Sequence, residues 1–165
     1  MSNKMAGSIS AIALGSNLGN SLETLESALT ALAKTPEILV KAQSPWYQTK
    51  AVGPPQPDYL NGCAILQTNH APMGLLNLLL KIEQQFGRVR QARNAPRTLD
   101  LDLLLFNDIV LNEPELEIPH PRMTERAFVL VPLADIAPNW IEPISGKAIA
   151  KLVQAVDCSG VQQLR

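Results

Sequence analysis

At 165 residues, 46% of them hydrophobic, the chain is long enough for one ordinary domain with a real core, and disorder is excluded. With 14 Lys+Arg against 15 Asp+Glu, its net charge of −1 excludes a surface that coats nucleic acid or an anionic membrane. Ser8 to Leu14 reads as a strand and Gly15 to Asn20 as a turn-rich loop. Leu22, Leu25, Leu29 and Leu32 recur at helical spacing, with Asn20 or Ser21 as N-cap and Thr35-Pro36 as the stop. Ile38 to Gln43 and Trp46 to Thr49 read as one strand broken at Pro45. Lys50 to Asp58, with three prolines and a glycine, is a stiffened loop, and Leu60 to Thr68 is the next strand. Pro72 opens a helix through Phe86, closed by Gly87. Thr98 to Phe106 is a buried strand, and Asn107-Asp108 a tight turn into Ile109 to Leu111. Glu125 to Ala137 reads as short helical pieces broken at Pro132, and Ser145 as the cap of a last helix through Val156.

This order, β-α-β-β-α-β, predicts an α+β, ferredoxin-like core over residues 8–140, with an added β-hairpin and a C-terminal helical extension over 141–165. Both long helices would cover one sheet face and leave the other for loops and ligands. One domain is expected, without room for a fused second enzyme. Cys63 and Cys158 have no metal-ligand spacing and are expected to stay reduced, with a disulfide left open. Met1 to Ala6 holds no signal-peptide core, and no 18-residue apolar run occurs, so a cytoplasmic monomer with no membrane or nucleic-acid partner is expected.

The near-neutral total conceals segregation. Six of the seven arginines fall between Arg88 and Arg126, four of them within 88–97, whereas Asp100 to Glu117 carries six acids and no base. Asp100 and Asp102 stand two apart on a strand, so their carboxylates share one face. Such a pair repels unless a cation sits between, and Mg²⁺ accepts one or two carboxylates plus waters and phosphates. Solvated acids on an exposed face fit the same spacing. The loop carrying Arg88, Arg90 and Arg97 runs straight into this strand, and guanidinium groups bind phosphate through paired donors. Acids and arginines together suggest a polyphosphate site. His120, held between Pro119 and Pro121, adds an aimed side chain beside Arg122 and Arg126. Tyr59, Asn61 and Phe128 are candidates for a flat slot with polar edges that takes a heterocycle. Gly15 allows a ligand to approach the first strand closely.

Arg88-Val89-Arg90, Pro96-Arg97-Thr98-Leu99-Asp100-Leu101-Asp102 and Ile118-Pro119-His120-Pro121-Arg122-Met123 resemble the 6-hydroxymethyl-7,8-dihydropterin pyrophosphokinase family of folate biosynthesis. Gly15-Ser16-Asn17-Leu18-Gly19 and Pro57-Asp58-Tyr59-Leu60-Asn61 fit the same pattern, and the resemblance spans about residues 9–140. It implies transfer of pyrophosphate from ATP to the pterin hydroxymethyl group, with release of AMP. Asp100 and Asp102 would hold two Mg²⁺ ions. Arg88 and Arg90 would belong to the catalytic loop, and Glu83, Arg90, Arg97, His120 and Arg126 to the ATP site. The pterin would stack between Tyr59 and Phe128 and be read by Asn61, Thr49 and the Val52 backbone, close to Gly15 and Asp100. Departures from the family pattern are Lys50 for proline, Leu80 for glutamine, Asn94-Ala95-Pro96 in the loop, and Pro121 for an aromatic. The competing readings are a non-catalytic nucleotide- or RNA-binding module and a Mg²⁺-dependent phosphohydrolase.

Overall fold

The computed structural model describes residues 7–50, 55–87 and 98–164. It is a mixed α/β fold built on a six-stranded antiparallel sheet, with four helices among the described residues. Strand β1 (Ser8–Ser16) lies between β4 (Tyr59–Thr68) and β5 (Asp100–Phe106). The far side of β4 pairs with two shorter strands in succession, β2 (Ile38–Gln43) and β3 (Tyr47–Thr49). The tail adds β10 (Val161–Gln163) outside β3.

Strand alternation sorts the core onto two faces. Ile12, Leu14, Ala64, Leu66, Leu101 and Leu103 point toward helices α1 (Ser21–Ala33) and α2 (Pro72–Gln85). There they meet Leu25, Leu29 and Leu32 from α1 and Leu75, Leu79 and Ile82 from α2, at the three- and four-residue spacing that keeps one helix face inward. Burial of each such leucine contributes about 1.5–3 kcal/mol. Asn20 caps α1 by accepting the Glu23 N–H at 3.2 Å, and Gly87 beyond α2 takes φ +80°, which glycine adopts without strain.

The opposite face is not left to loops alone. Ala11, Cys63, Ile65 and Leu104 pack there against α3 (Ala127–Ile136) and α4 (Ile149–Gln154) through Val129, Leu130, Leu133, Ile149 and Leu152. Helix α3 runs unbroken through Pro132, contrary to the expected break. Proline cannot donate to the carbonyl of Phe128, but its ring is buried with its neighbours and its φ is already helical. The expected turn at Asn107-Asp108 forms, with the Ile109 N–H donating to the Phe106 carbonyl at 3.2 Å, but the next strand starts only at Leu111: β6 (Leu111–Glu113) makes a hairpin with β7 (Leu116–Ile118) that reverses at Pro114-Glu115.

The extension also differs from its sequence reading. Ser145 does not cap a helix; it sits in the turn between β8 (Ile141–Glu142) and β9 (Lys147–Ala148), where its N–H donates to the buried Glu142 Oε1 at 2.8 Å. Helix α4 therefore starts later, at Ile149, and ends at Gln154. Cys63 and Cys158 are both free thiols, and burial pushes the Cys63 thiol well up, with Asp135 and Asp102 adding to the shift. No helix of the described residues is long and apolar enough to cross a membrane.

Candidate active site

Helix α3 covers only part of its sheet face. At the uncovered end lies a cavity of about 760 Å³, lined by strands β1, β4 and β5, by Thr49 and Lys50, and by the segment from Arg122 to Val129. Its floor follows from register. Gly15 pairs with Asn61 on one side and with Asp100 on the other, and Ala13 likewise pairs with Cys63 and Asp102. Directly opposed residues in antiparallel strands point to the same face. On this face the central strand thus contributes the small residues Ala13 and Gly15, flanked by Asn61, Asp100 and Asp102. A β-carbon added at Gly15 would lie 3.0 Å from Asn61 Oδ1, so the glycine also keeps the amide in place.

Asn61 is 7% exposed and donates from Nδ2 to Thr49 Oγ1 at 2.8 Å. An amide has two N–H donors and an acceptor oxygen, so capacity remains for the edge of a ligand. Tyr59 and Phe128 line the same space from β4 and α3. The Arg126 guanidinium lies 5.6 Å from the centroid of the Phe128 ring, within cation–π range. Residues at the start of α3 form part of the wall, bringing the positive end of the helix dipole toward the cavity.

Asp100 and Asp102 are half-buried on the cavity side of β5, while Leu99, Leu101 and Leu103 are buried behind them. No set of three His, Cys, Asp or Glu side chains among the described residues forms a closed metal cage. A donor set of two adjacent carboxylates, open to a cavity, suits a hard cation that keeps waters and takes further oxygens from a substrate.

Glu83 and His120 lie outside the cavity wall. Glu83 is 3% exposed on α2, and its Oε2 accepts the Leu101 N–H at 2.6 Å, so it secures β5 between the two acids from behind. His120 follows a cis Ile118-Pro119 bond and is tied to β5 by its own N–H, which donates to the Leu104 carbonyl at 2.9 Å. Its Nδ1 accepts the Arg122 N–H at 3.2 Å, which places the proton of the neutral ring on Nε2. Burial, reinforced by Arg126 and Arg122 against the opposing pull of Asp100, holds its pKa below the ordinary 6.5. At neutral pH His120 is therefore an uncharged N–H donor.

A depressed histidine pKa makes folding prefer the neutral ring. The stability it contributes is complete above 6.5 and is lost as pH falls through the folded value, because only the unfolded chain then gains the proton readily. His120→Gln should accordingly flatten the acid limb of the urea-midpoint-versus-pH curve below 6.5. Parallel curves for the two proteins would show that the ring is not held neutral.

The structure thus gathers Gly15, Thr49, Tyr59, Asn61, Asp100, Asp102, Arg126 and Phe128 around one cavity. Val52, Arg88, Arg90 and Arg97 lie outside the described residues. The sequence reading did not place Ala13, Lys50 or Glu125 in the site. Alternation from Gly15 points to Ala13, and the three-residue spacing from Arg122 points to Glu125, whose carboxylate lies 3.6 Å from Arg122 Nε. That pair is largely exposed at the rim and adds little to stability.

The model of the 7,8-dihydro-6-hydroxymethylpterin-pyrophosphokinase (HPPK) family matches residues 11–138. A 2-amino-4-hydroxy-6-hydroxymethyldihydropteridine pyrophosphokinase of Synechocystis is 51% identical over 150 residues, covering 91% of this chain and 77% of that protein. Its Pseudomonas aeruginosa counterpart is 46% identical over 154 residues, covering 93% and 94%. Among solved structures, the wild-type HPPK-DHPS of Plasmodium falciparum with pteroate superimposes with a TM-score of 0.72 at 14% identity, over 94% of this chain and 43% of that one. This chain thus spans less than half of that longer protein, and the likeness is one of fold. The match of a family model over most of the chain, together with these identities, places this protein in the 7,8-dihydro-6-hydroxymethylpterin-pyrophosphokinase family.

Proposed function

We propose that this chain is an ATP-dependent pyrophosphokinase, which transfers pyrophosphate from ATP to 6-hydroxymethyl-7,8-dihydropterin and releases AMP, a step of folate synthesis. Family membership supports the reaction class. One observation carries the site: a paired carboxylate and a flat, polar-edged slot open into the same cavity. A triphosphate needs the first and a pterin the second, and the transfer requires both substrates side by side.

Each side chain then has a task. Tyr59 and Phe128 sandwich the pterin ring, and Asn61, held by Thr49, reads its hydrogen-bonding edge. Arg126, steadied over Phe128, and the neutral His120 face the phosphates, with Glu83 supporting β5 behind them. Arg88, Arg90 and Arg97 are assigned to the phosphates from sequence alone. Asp100 and Asp102 hold Mg²⁺, read as two ions, which when bound would neutralise phosphate charge and make the pterin hydroxyl more acidic. The chain contributes position and charge; in-line phosphoryl transfer asks for little covalent help. The enzyme is read as a cytoplasmic monomer, acting on two small, water-soluble substrates. The strand order, with β1 between β4 and β5, is in keeping with a ferredoxin-like core over 8–140, to which 141–165 is an extension.

Incubation with ATP, Mg²⁺ and the reduced hydroxymethyl pterin should yield AMP and pterin pyrophosphate in equal amounts. ADP or free phosphate would point to the phosphohydrolase reading, and absence of turnover to a binding module.

A further inference from the structure

The tail holds no motif of its own, yet it completes the sheet beside the cavity. Val161 pairs with Thr49, Gln162 with Gln48 and Gln163 with Tyr47, and the Leu164 N–H donates to the Trp46 carbonyl at 2.8 Å. Leu164 also packs against the main core. Strand β3 has three residues, too few to hold its place on one ladder, and β10 covers its outer edge.

Two contacts lead inward from that edge. Thr49 Oγ1 accepts from Asn61 on the cavity floor. The Trp46 ring lies so close to Gly62, which lines the cavity beside Asn61, that a β-carbon there would come within 2.5 Å of it. The tail therefore grips both residues that fix Asn61 and Gly62 from the side. In the sheet it is separated from β5, which carries Asp100 and Asp102, by β3, β4 and β1.

We propose that the C-terminal strand is a positioning element for the pterin end of the cavity, with Gln162 and Leu164 acting through β3 on Thr49 and Asn61. This rests on the reading that Thr49 and Asn61 face the pterin. Because the Leu164 amide points to β3, alternation directs the Gln162 amide there too, and proline at 162 removes that donor.

The test uses the full-length Gln162→Pro chain and isothermal titration with the pterin at saturating Mg²⁺ and a non-hydrolysable ATP analogue. Its pterin Kd should rise about tenfold, the loss of one well-placed hydrogen bond, while analogue affinity stays within about twofold. Gln162→Val, which keeps the amide, should match wild type. Leu164→Ala should shift pterin affinity in the same direction and carries the test if the proline variant does not fold. Unchanged pterin affinity in both tail variants, or an equal loss for both ligands, overturns the proposal. Thr49→Val in the intact tail separates the two readings: if it leaves pterin affinity unchanged, the assignment of Thr49 to the pterin is wrong and the proposal falls with it. If it weakens binding while the tail variants do not, only the positioning role is lost.

Discussion

Asp102→Ala should abolish AMP formation, lowering kcat by about 10³-fold or more, while the fold persists. Asp102 is half-buried and faces the cavity; the residues that hold β5 in the core are Leu101 and Leu103 on its other side. Removing the carboxylate therefore opens no cavity among packed side chains. It also relieves repulsion from Asp100 two residues away, so the variant should still unfold cooperatively. Asp100 alone leaves one carboxylate where the reaction needs enough negative charge to gather cations around a triphosphate. The measurement pairs an AMP assay with thermal unfolding, each with and without Mg²⁺ and the ATP analogue. Wild type should gain stability from the two together, and the variant should gain far less. Activity within tenfold of wild type would sink the paired-carboxylate assignment.

Much of this site could be read from sequence because strand periodicity is a local property. Asp100 and Asp102 share a face for the same reason that Leu101 and Leu103 share the other, and no tertiary knowledge is required. What stayed hidden was pairing. That Gly15 stands between Asn61 and Asp100 depends on which strands meet and in what register, over separations that no local pattern encodes. The expected loop from Gly15 onward was too early for this reason: Gly15 and Ser16 are ordinary turn formers, but pairing to Asn61 and Leu60 draws them into the strand. Tertiary packing likewise overrode local propensity at Pro132, where the buried faces of α3 hold the helix together. Val161 to Gln163 carried no signal as a strand, since a three-residue edge strand is defined by its partner more than by its composition.

The segregation of charge has a structural counterpart. The acidic strand lies across the floor, and Arg122 and Arg126 stand on the wall above it, so one ligand with both phosphates and bound cations satisfies both signs. Glu83 is buried on α2, outside the cavity wall. By accepting Leu101 N–H it secures the edge strand between the two acids, an arrangement that sequence spacing alone does not distinguish from a direct contact.

Asn61→Leu should reduce kcat/KM for the pterin by about 10²–10³-fold with little change in ATP affinity, because a site built to hydrogen-bond a ligand edge discriminates strongly once its partner is gone. Leucine keeps the branched outline of asparagine with bulkier tips, so the floor between Gly15 and Tyr59 stays filled and the chief loss is one of polarity. The change also strands Thr49 Oγ1, whose donor at 2.8 Å disappears, though a hydroxyl can turn toward water or its own backbone. Asn61→Asp provides the chemical control. A carboxylate keeps the acceptor, which the amino and N–H groups of a 2-amino-4-oxo pteridine edge can use, and Thr49 can reverse the bond by donating its hydroxyl proton. Aspartate should therefore be milder than leucine by about tenfold. Steady-state kinetics with each substrate varied in turn would measure both variants. If leucine leaves the pterin KM unchanged, Asn61 does not read the pterin; if aspartate proves as damaging as leucine, donation from Nδ2 rather than acceptance at Oδ1 is what the pterin requires.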